Sequence, residues 1–139
     1  MAEVVVLDTS AVLTLLEDEA GADVVENCLL DAKAGVITVH ASFVTLTEVE
    51  YITIQEQGAE IAESTLAKVK AWPVSWHHSD DTVCAASAKL KAAHRISFAD
   101  AFVASLALSL DATLIHKDPE FNGLSGLIKQ QMLPAKSSK

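Results

Sequence analysis

Four acidic residues of the 139-residue chain lie next to apolar sequence rather than in polar segments. Asp8 directly follows the apolar run EVVVL, and Asp118 directly follows TLIHK. Asp100 is the only charged residue of SFADAFVASLALSL, residues 97–110, and Glu48 lies on an apolar stripe of helical spacing in ASFVTLTEVEYITIQ. Each acid alone has a structural alternative, as a helix cap, a capping box or a turn residue.

If these four carboxylates meet, they form a site for a divalent cation. Carboxylates a few ångströms apart cannot all stay ionised without a counter-charge, and no Lys or Arg lies in a helical pairing register with them. Oxygen ligands without a cluster of Cys or His favour Mg²⁺ or Mn²⁺ over zinc. One or two ions held in this way activate water and stabilise the leaving oxygen during hydrolysis of a phosphodiester.

The elements that must position these acids alternate between strand and helix. Strands are predicted at 3–7, 36–40, 73–77 and 112–117, and helices at 11–19, 20–35, 41–57, 59–71, 79–93 and 97–110, with Ser79 and Ser97 as N-caps. This alternation predicts an α/β fold with three layers, α/β/α, and a central parallel sheet. Ligands of such sheets bind beyond the carboxyl ends of the strands, where Asp8 and Asp118 are expected to lie.

The end of the chain is less regular than the rest. Residues 126–132, GLIKQQM, could add a short final strand, but we expect the single domain, residues 1–139, to finish in a frayed tail at 129–139. The start lacks the basic region of a signal peptide, and the longest nearly uncharged stretch is too short to span a bilayer. We therefore expect a soluble, cytoplasmic protein without a membrane partner.

Charge is distributed unevenly along the chain, whose net charge is −9. Residues 1–63 carry thirteen acids and one base, whereas residues 64–139 carry six acids and nine bases. A wholly acidic surface would disfavour a polyanionic partner. The second half must therefore supply most of any surface that binds nucleic acid, and its denser basic residues are Lys68, Lys70, Lys89, Lys91 and Arg95.

Taken in order, the motifs VVVLDTSAVL, TLTEVEYI, ISFADAFVASLAL and IHKDPEF resemble a PIN domain over residues 4–121. The resemblance is closest to the toxin ribonucleases of VapBC-type toxin–antitoxin systems. It implies a metal-dependent endoribonuclease that hydrolyses RNA, with Asp8, Glu48, Asp100 and Asp118 as the catalytic acids that bind Mg²⁺ or Mn²⁺. It also implies a homodimer and a cognate antitoxin whose C-terminal segment covers the active site.

The resemblance extends to residues around the acids. Ser10 matches a position whose hydroxyl supports the metal ligands, and His116 stands two residues before the last acid, where the family often has Ser or Thr. His116 could touch a phosphate or displace a metal-bound water, which leaves the number of ions open. The residues expected to bind substrate are Lys117, Lys89, Lys91 and Arg95.

Two other functions remain open at this point. The fold could serve as a binding module that uses an acidic pocket to dock a basic partner and cleaves nothing. It could also be a housekeeping nuclease that processes RNA and has no antitoxin. Retention of all four acids favours an enzyme, and an upstream reading frame for a DNA-binding antitoxin would distinguish a toxin from a housekeeping nuclease.

Overall fold

A computed structural model of the chain describes residues 3–135. Strands and helices alternate within these residues, and none of the helices is long and apolar enough to cross a membrane. The elements are β1 Glu3–Leu7, α1 Thr9–Leu16, α2 Ala22–Lys33, β2 Ile37–Ser42, α3 Phe43–Gln57, α4 Ala59–Lys70, β3 Ser75–His77, α5 Asp81–Ala93, α6 Phe98–Ser109, β4 Thr113–His116, a 3-10 helix Pro119–Leu124 and β5 Lys129–Met132.

All five strands form one sheet in the order β3-β2-β1-β4-β5, and every pair is parallel. The predicted three-layer α/β/α fold with a central parallel sheet is confirmed. From β1 the chain builds outward through β2 and β3 on one side, and through β4 and β5 on the other. The carboxyl ends of β1 and β4 therefore flank a switch in strand order, which is where open α/β sheets bind their ligands.

Side chains of β1 alternate between two apolar layers, as expected for a strand that is buried on both faces. Val5 and Leu7 pack in a cluster with Val12 of α1 and Val49 of α3. Val6 packs on the other face, in a cluster that α5 and α6 supply, and none of the three β1 residues is more than 2% exposed. The central strand thus holds the following residue, Asp8, in a fixed position.

Helix starts agree with the sequence in two cases and differ in one. Ser42 caps α3 by accepting a hydrogen bond from the Val44 N–H, and Ser97 caps α6 as predicted. The cap of α5 is Asp80 rather than Ser79, because the Asp80 carboxylate accepts the Val83 N–H at 2.8 Å. An ionised carboxylate is the stronger acceptor at the positive end of a helix.

The predicted frayed tail is wrong for Lys129–Met132, which form β5. This strand pairs with β4 from Thr113 to His116, and the Leu133 N–H donates to the His116 carbonyl at 2.7 Å. Its sequence, KQQM, is mostly polar because an edge strand exposes much of its surface to solvent. Main-chain pairing and the buried Leu133, rather than an apolar pattern, define this strand.

Candidate active site

Asp8 joins the end of β1 to the start of α1, and its two carboxylate oxygens have different surroundings. Oδ2 accepts the Ser10 N–H at 3.1 Å and the Ser10 hydroxyl at 2.5 Å. The Ser10 Oγ in turn accepts the Lys117 N–H at 2.9 Å, which connects Asp8 to the chain beyond β4. Oδ1 is buried and has no hydrogen-bond partner among residues 3–135. A buried carboxylate oxygen without a partner is costly unless a cation or a proton compensates it.

Asp100 lies in the first turn of α6 and is buried, with 7% of its surface exposed. Its main-chain N–H donates to the Ser97 hydroxyl at 3.1 Å, which caps the helix. A carboxylate oxygen of Asp100 lies within 4.8 Å of a carboxylate oxygen of Glu120. Capping is therefore the role of Ser97, and the Asp100 side chain is directed to the other acids.

Glu48 extends from the middle of α3 towards the start of α1. The Thr9 hydroxyl donates to Glu48 Oε1 at 2.6 Å, and the buried Thr45 hydroxyl lies 3.0 Å from Thr9 Oγ1. Because a hydroxyl carries one proton, Thr9 gives its proton to the carboxylate and accepts that of Thr45. Two threonines thus orient one oxygen of Glu48.

Asp118 and Glu120 lie on the segment that leaves β4. Asp118 Oδ1 accepts the Glu120 N–H at 2.9 Å and caps the 3-10 helix, in which Pro119 occupies the first position. One carboxylate oxygen from each of Asp100, Asp118 and Glu120 lies within 4.8 Å of the other two. Glu120 is thus a fifth acid of the cluster.

Burial, and after it the charge of neighbouring acids, raises the pKa of two members of the cluster. Burial raises the pKa of Asp8 from 3.8 to about 6 against the lowering effect of its bonds to Ser10, and Glu48 and Asp118 raise it further. The pKa of Asp100 is also raised, first by burial, then by the neighbouring carboxyl of Glu120 and by the charges of Asp8 and Asp118. Asp8 is therefore close enough to be influenced by Glu48 and Asp118, and Asp100 by Asp8, Asp118 and Glu120.

In the part of the chain that the structure describes, no lysine or arginine is ion-paired with this acidic cluster, which we define as Asp8, Glu48, Asp100, Asp118 and Glu120. Within residues 3–135 the ion pairs are Lys117 with Glu19 and Lys129 with Asp111, and neither involves the cluster. Oxygen ligands, an unpartnered buried oxygen and missing counter-charge together fit a hard divalent cation such as Mg²⁺ or Mn²⁺.

His116 lies beneath the cluster rather than in it, which corrects both roles expected for it. The residue is 0% exposed, and its ring packs against Phe121 at 4.9 Å between centroids. Nδ1 accepts the Asp118 N–H at 3.1 Å, and Nε2 is 2.8 Å from Gln130 Oε1. A fully buried ring with both nitrogens bonded cannot touch a phosphate or displace a metal-bound water, so His116 supports the segment that carries Asp118.

The four basic residues expected to bind substrate differ in their placement. Lys117 Nζ donates to the Ala20 carbonyl at 2.9 Å and lies 3.5 Å from Glu19, with 12% of its side chain exposed. An ammonium group bound in this way is not directed to a substrate, so the prediction for Lys117 is wrong. Lys91 donates to the Ile96 carbonyl at 2.8 Å, while Lys89 and Arg95 are exposed.

Sequence reasoning missed Glu120, Thr9 and Thr45. Glu120 follows Asp118-Pro119 in a polar segment, where an acid is unremarkable, and only its spacing of two from Asp118 could have indicated it. Thr45 is in an apolar stretch, where threonine is easily taken for core filling. Its distance from Thr9 in the chain hides a contact that only the packing of α1 against α3 creates.

Comparison with protein-family models matches residues 5–127 to the PIN domain. The chain belongs to the PIN domain family. Curated proteins give no significant match to this PIN domain by sequence.

Solved structures that share the fold of this PIN domain include VapBC2 from Rickettsia felis bound to a promoter DNA fragment, with a TM-score of 0.73 at 21% identity over 94% of this chain and 99% of that one. DNA-bound VapBC from Salmonella typhimurium has a TM-score of 0.73 at 16% identity, over 95% and 98% of the two chains. VapC20 from Mycobacterium tuberculosis, a sarcin-ricin loop cleaving toxin, has a TM-score of 0.69 at 16% identity, over 94% and 99%.

Proposed function

We propose that this PIN domain is a divalent-metal-dependent endoribonuclease and the toxin of a type II toxin–antitoxin pair. The observation that carries the nuclease is the acidic cluster, in which the buried Asp8 Oδ1 has no hydrogen-bond partner within residues 3–135. A pocket that only docked a basic protein would not need a carboxylate whose Oδ2 is fixed by Ser10 while its buried Oδ1 is left unpartnered. The position of the acidic cluster at the switch in strand order is typical of a catalytic centre in an α/β fold.

The residues that would hold Mg²⁺ or Mn²⁺ are Asp8, Asp100, Asp118 and Glu120, with Glu48 facing them from α3. When bound, such an ion supplies an activated water and charge stabilisation at the phosphodiester. The set offers enough oxygens for one ion or two. Ser10 and Thr9 fix the orientation of Asp8 and Glu48, so that neither carboxylate has to reorganise when the substrate arrives.

The raised pKa values of Asp8 and Asp100 also support a cation in this cluster. Burial and neighbouring charge raise the pKa values of Asp8 and Asp100, so in the metal-free protein these carboxyls retain protons that they must release to act as ligands. Cation binding is therefore expected to tighten as the pH rises towards neutrality.

RNA is the proposed substrate because the family implies it and because a structurally similar protein, VapC20, is a toxin that cleaves the sarcin-ricin loop. Arg95 is exposed and lies in the loop that leads into α6, five residues before Asp100, which supports a contact between its guanidinium and the phosphate backbone. Lys89 lies on the preceding helix, α5, and is exposed. Arg95 and Lys89 are the proposed phosphate contacts, whereas the ammonium group of Lys91 is bonded to the Ile96 carbonyl.

An antitoxin and a second copy of the chain are the proposed protein partners, in the cytoplasm. Several structures of similar fold are toxin–antitoxin complexes, which supports the first. Phe98 and Leu108 of α6 are 69% and 44% exposed, and an apolar helix face of this kind supports the second. Sedimentation of the purified chain at micromolar concentration is expected to give a dimer, and a monomer would contradict this part of the proposal.

Sequencing of RNA ends after brief induction in cells tests the nuclease and names its target. We expect new ends at a small number of sites and slowed growth. The Asp100→Asn variant, which keeps the cap of α6 on Ser97, is expected to give neither. Asp31→Asn, an exposed acid on α2, is the matched control and should act like the unchanged chain.

Purified protein provides the second part of this test. Cleavage of RNA is expected with Mg²⁺ or Mn²⁺ and should stop when the metal is chelated. If no RNA pool is cut with any divalent metal, the chain is a binding module. Cleavage in vitro without any effect on growth would instead indicate a housekeeping nuclease.

A further inference from the structure

Gln130 on the edge strand β5 is the only partner of His116 Nε2 within residues 3–135, and it lies outside the acidic cluster. Its side chain is partly buried against the 3-10 helix. The Gln130 amide is thus placed between a buried imidazole and the segment that carries Asp118 and Glu120.

The hydrogen bonds around the ring allow only one arrangement of protons. Asp118 N–H donates to His116 Nδ1 at 3.1 Å, so Nδ1 carries no proton. Nε2 must then carry the proton of the neutral ring and donates it to Gln130 Oε1 at 2.8 Å. Gln130 Nε2 donates to the Phe121 carbonyl at 2.9 Å, which also fixes the orientation of the amide.

These hydrogen bonds tie together the two ends of the short segment from Asp118 to Phe121. They begin at the Asp118 N–H and finish at the Phe121 carbonyl, and Glu120 lies between these two points. The fully buried Phe121 ring packs on the same imidazole. Loss of any one bond would free the backbone on which two carboxylates of the cluster depend.

We infer that Gln130 is a positioning residue for Asp118 and Glu120, acting through the Nε2-protonated tautomer of His116, which the Asp118 N–H and Gln130 Oε1 together fix. The inference rests on the proposed nuclease function, because Gln130 would help to position the ligands of that same metal site. Outer partners of metal ligands typically change metal affinity or activity by roughly tenfold to a hundredfold when they are removed.

The variant Gln130→Met tests this inference, because methionine fills a similar volume but neither accepts from His116 nor donates to Phe121. Gln131→Met is the matched control, since Gln131 is the neighbouring residue of β5 and is exposed. Calorimetric titration with Mn²⁺ is expected to show a Kd about tenfold or more higher for Gln130→Met than for Gln131→Met. Circular dichroism and the thermal midpoint establish that both variants are folded.

Gln130→Glu provides a second variant in case Gln130→Met does not fold. A carboxylate accepts the His116 Nε2 proton but cannot donate to the Phe121 carbonyl, so Mn²⁺ binding is expected to weaken here as well. The long-range ¹H–¹⁵N spectrum of the unchanged protein is expected to show His116 protonated at Nε2 only, which a merely space-filling role would not require.

The outcomes separate this inference from the proposed function. Equal Mn²⁺ affinity in the Gln130 variants and Gln131→Met, or a His116 ring protonated at Nδ1, would overturn the positioning role while the metal site stands. If the unchanged protein does not bind Mn²⁺ at all, both the proposed metal-dependent function and the role of Gln130 are wrong.

Discussion

At the scale of single residues, Asp8 shows how one side chain can be both structural and chemical. Oδ2 satisfies the start of α1 through Ser10, and Oδ1 remains without a partner at the cluster. From the sequence, a helix cap and a metal ligand are alternative roles for Asp8. In the structure one carboxylate can serve both, because a different oxygen is used for each. Asp100 differs, because Ser97 takes over the capping and leaves the whole carboxyl for the cluster.

The raised pKa of Asp8 predicts how the stability of the metal-free protein depends on pH. The folded state keeps a proton up to about pH 6, whereas the unfolded chain releases it near 3.8, so folding binds protons between these values. The free energy of unfolding therefore falls as the pH rises through this range, by about 3 kcal/mol from Asp8 alone. Asp100 acts in the same direction because its pKa is also raised.

Urea denaturation at pH 5 and pH 8 with a chelator measures the upper part of this effect, about 1.4 kcal/mol from Asp8. We expect lower stability at pH 8, recovery on addition of Mn²⁺, and a smaller pH dependence in Asp8→Asn, which carries no charge at that position. Asp31→Asn should keep the full dependence, because Asp31 is exposed on α2. A metal-free protein that is more stable at pH 8 than at pH 5 would contradict the burial of an uncompensated Asp8.

At the scale of elements, the segment after β4 connects distant parts of the chain. The Lys117 N–H bonds to Ser10 at the start of α1, while its ammonium group bonds to the turn between α1 and α2. The sequence predicts the strand and the acid that follows it. The sequence does not reveal that Lys117 pairs with Glu19, because these two residues are far apart in the chain and meet only in the folded protein.

Lys117→Met is expected to lower the free energy of unfolding by about 1–3 kcal/mol, because it removes the ammonium group that donates to the Ala20 carbonyl and pairs with Glu19. The KM for RNA should not change. Lys129→Met is the control, since its pair with Asp111 is exposed and is worth less than about 1 kcal/mol. Thermal denaturation and steady-state cleavage measure both quantities, and a raised KM with unchanged stability would restore the substrate role of Lys117.

At the scale of the whole molecule, alternation of apolar runs and helical segments was enough to predict the layers, because a parallel sheet must be covered on both faces. The order β3-β2-β1-β4-β5 was not predictable from these local patterns, and the polarity of KQQM left β5 undecided between a short final strand and a frayed tail. The same limit applies to the site. Asp8 and Asp100 are conspicuous among apolar neighbours, whereas Glu120 and Gln130 become significant only through contacts across the fold.

The uneven charge of the molecule predicts how its affinity for RNA should depend on salt. With a net charge of −9, long-range attraction of RNA to the whole protein is not expected, and binding must depend on local bases such as Arg95. Each phosphate contact with a single strand contributes about 0.7 to the slope of log affinity against log salt. Arg95→Gln should therefore reduce that slope by about 0.7 and weaken binding at low salt.

Lys68→Gln is the matched control. Lys68 lies on α4 beside Leu16 and Trp72, and α4 packs on the same face of the sheet as α1 and α2. Binding is measured with Asp100→Asn protein, so that RNA is not consumed during the titration. An unchanged slope in Arg95→Gln, or an equal reduction in Lys68→Gln, would show that phosphates do not approach along the loop into α6. Electrostatic attraction would then have to come from the bound cation itself, which addition of a chelator to the same titration would reveal.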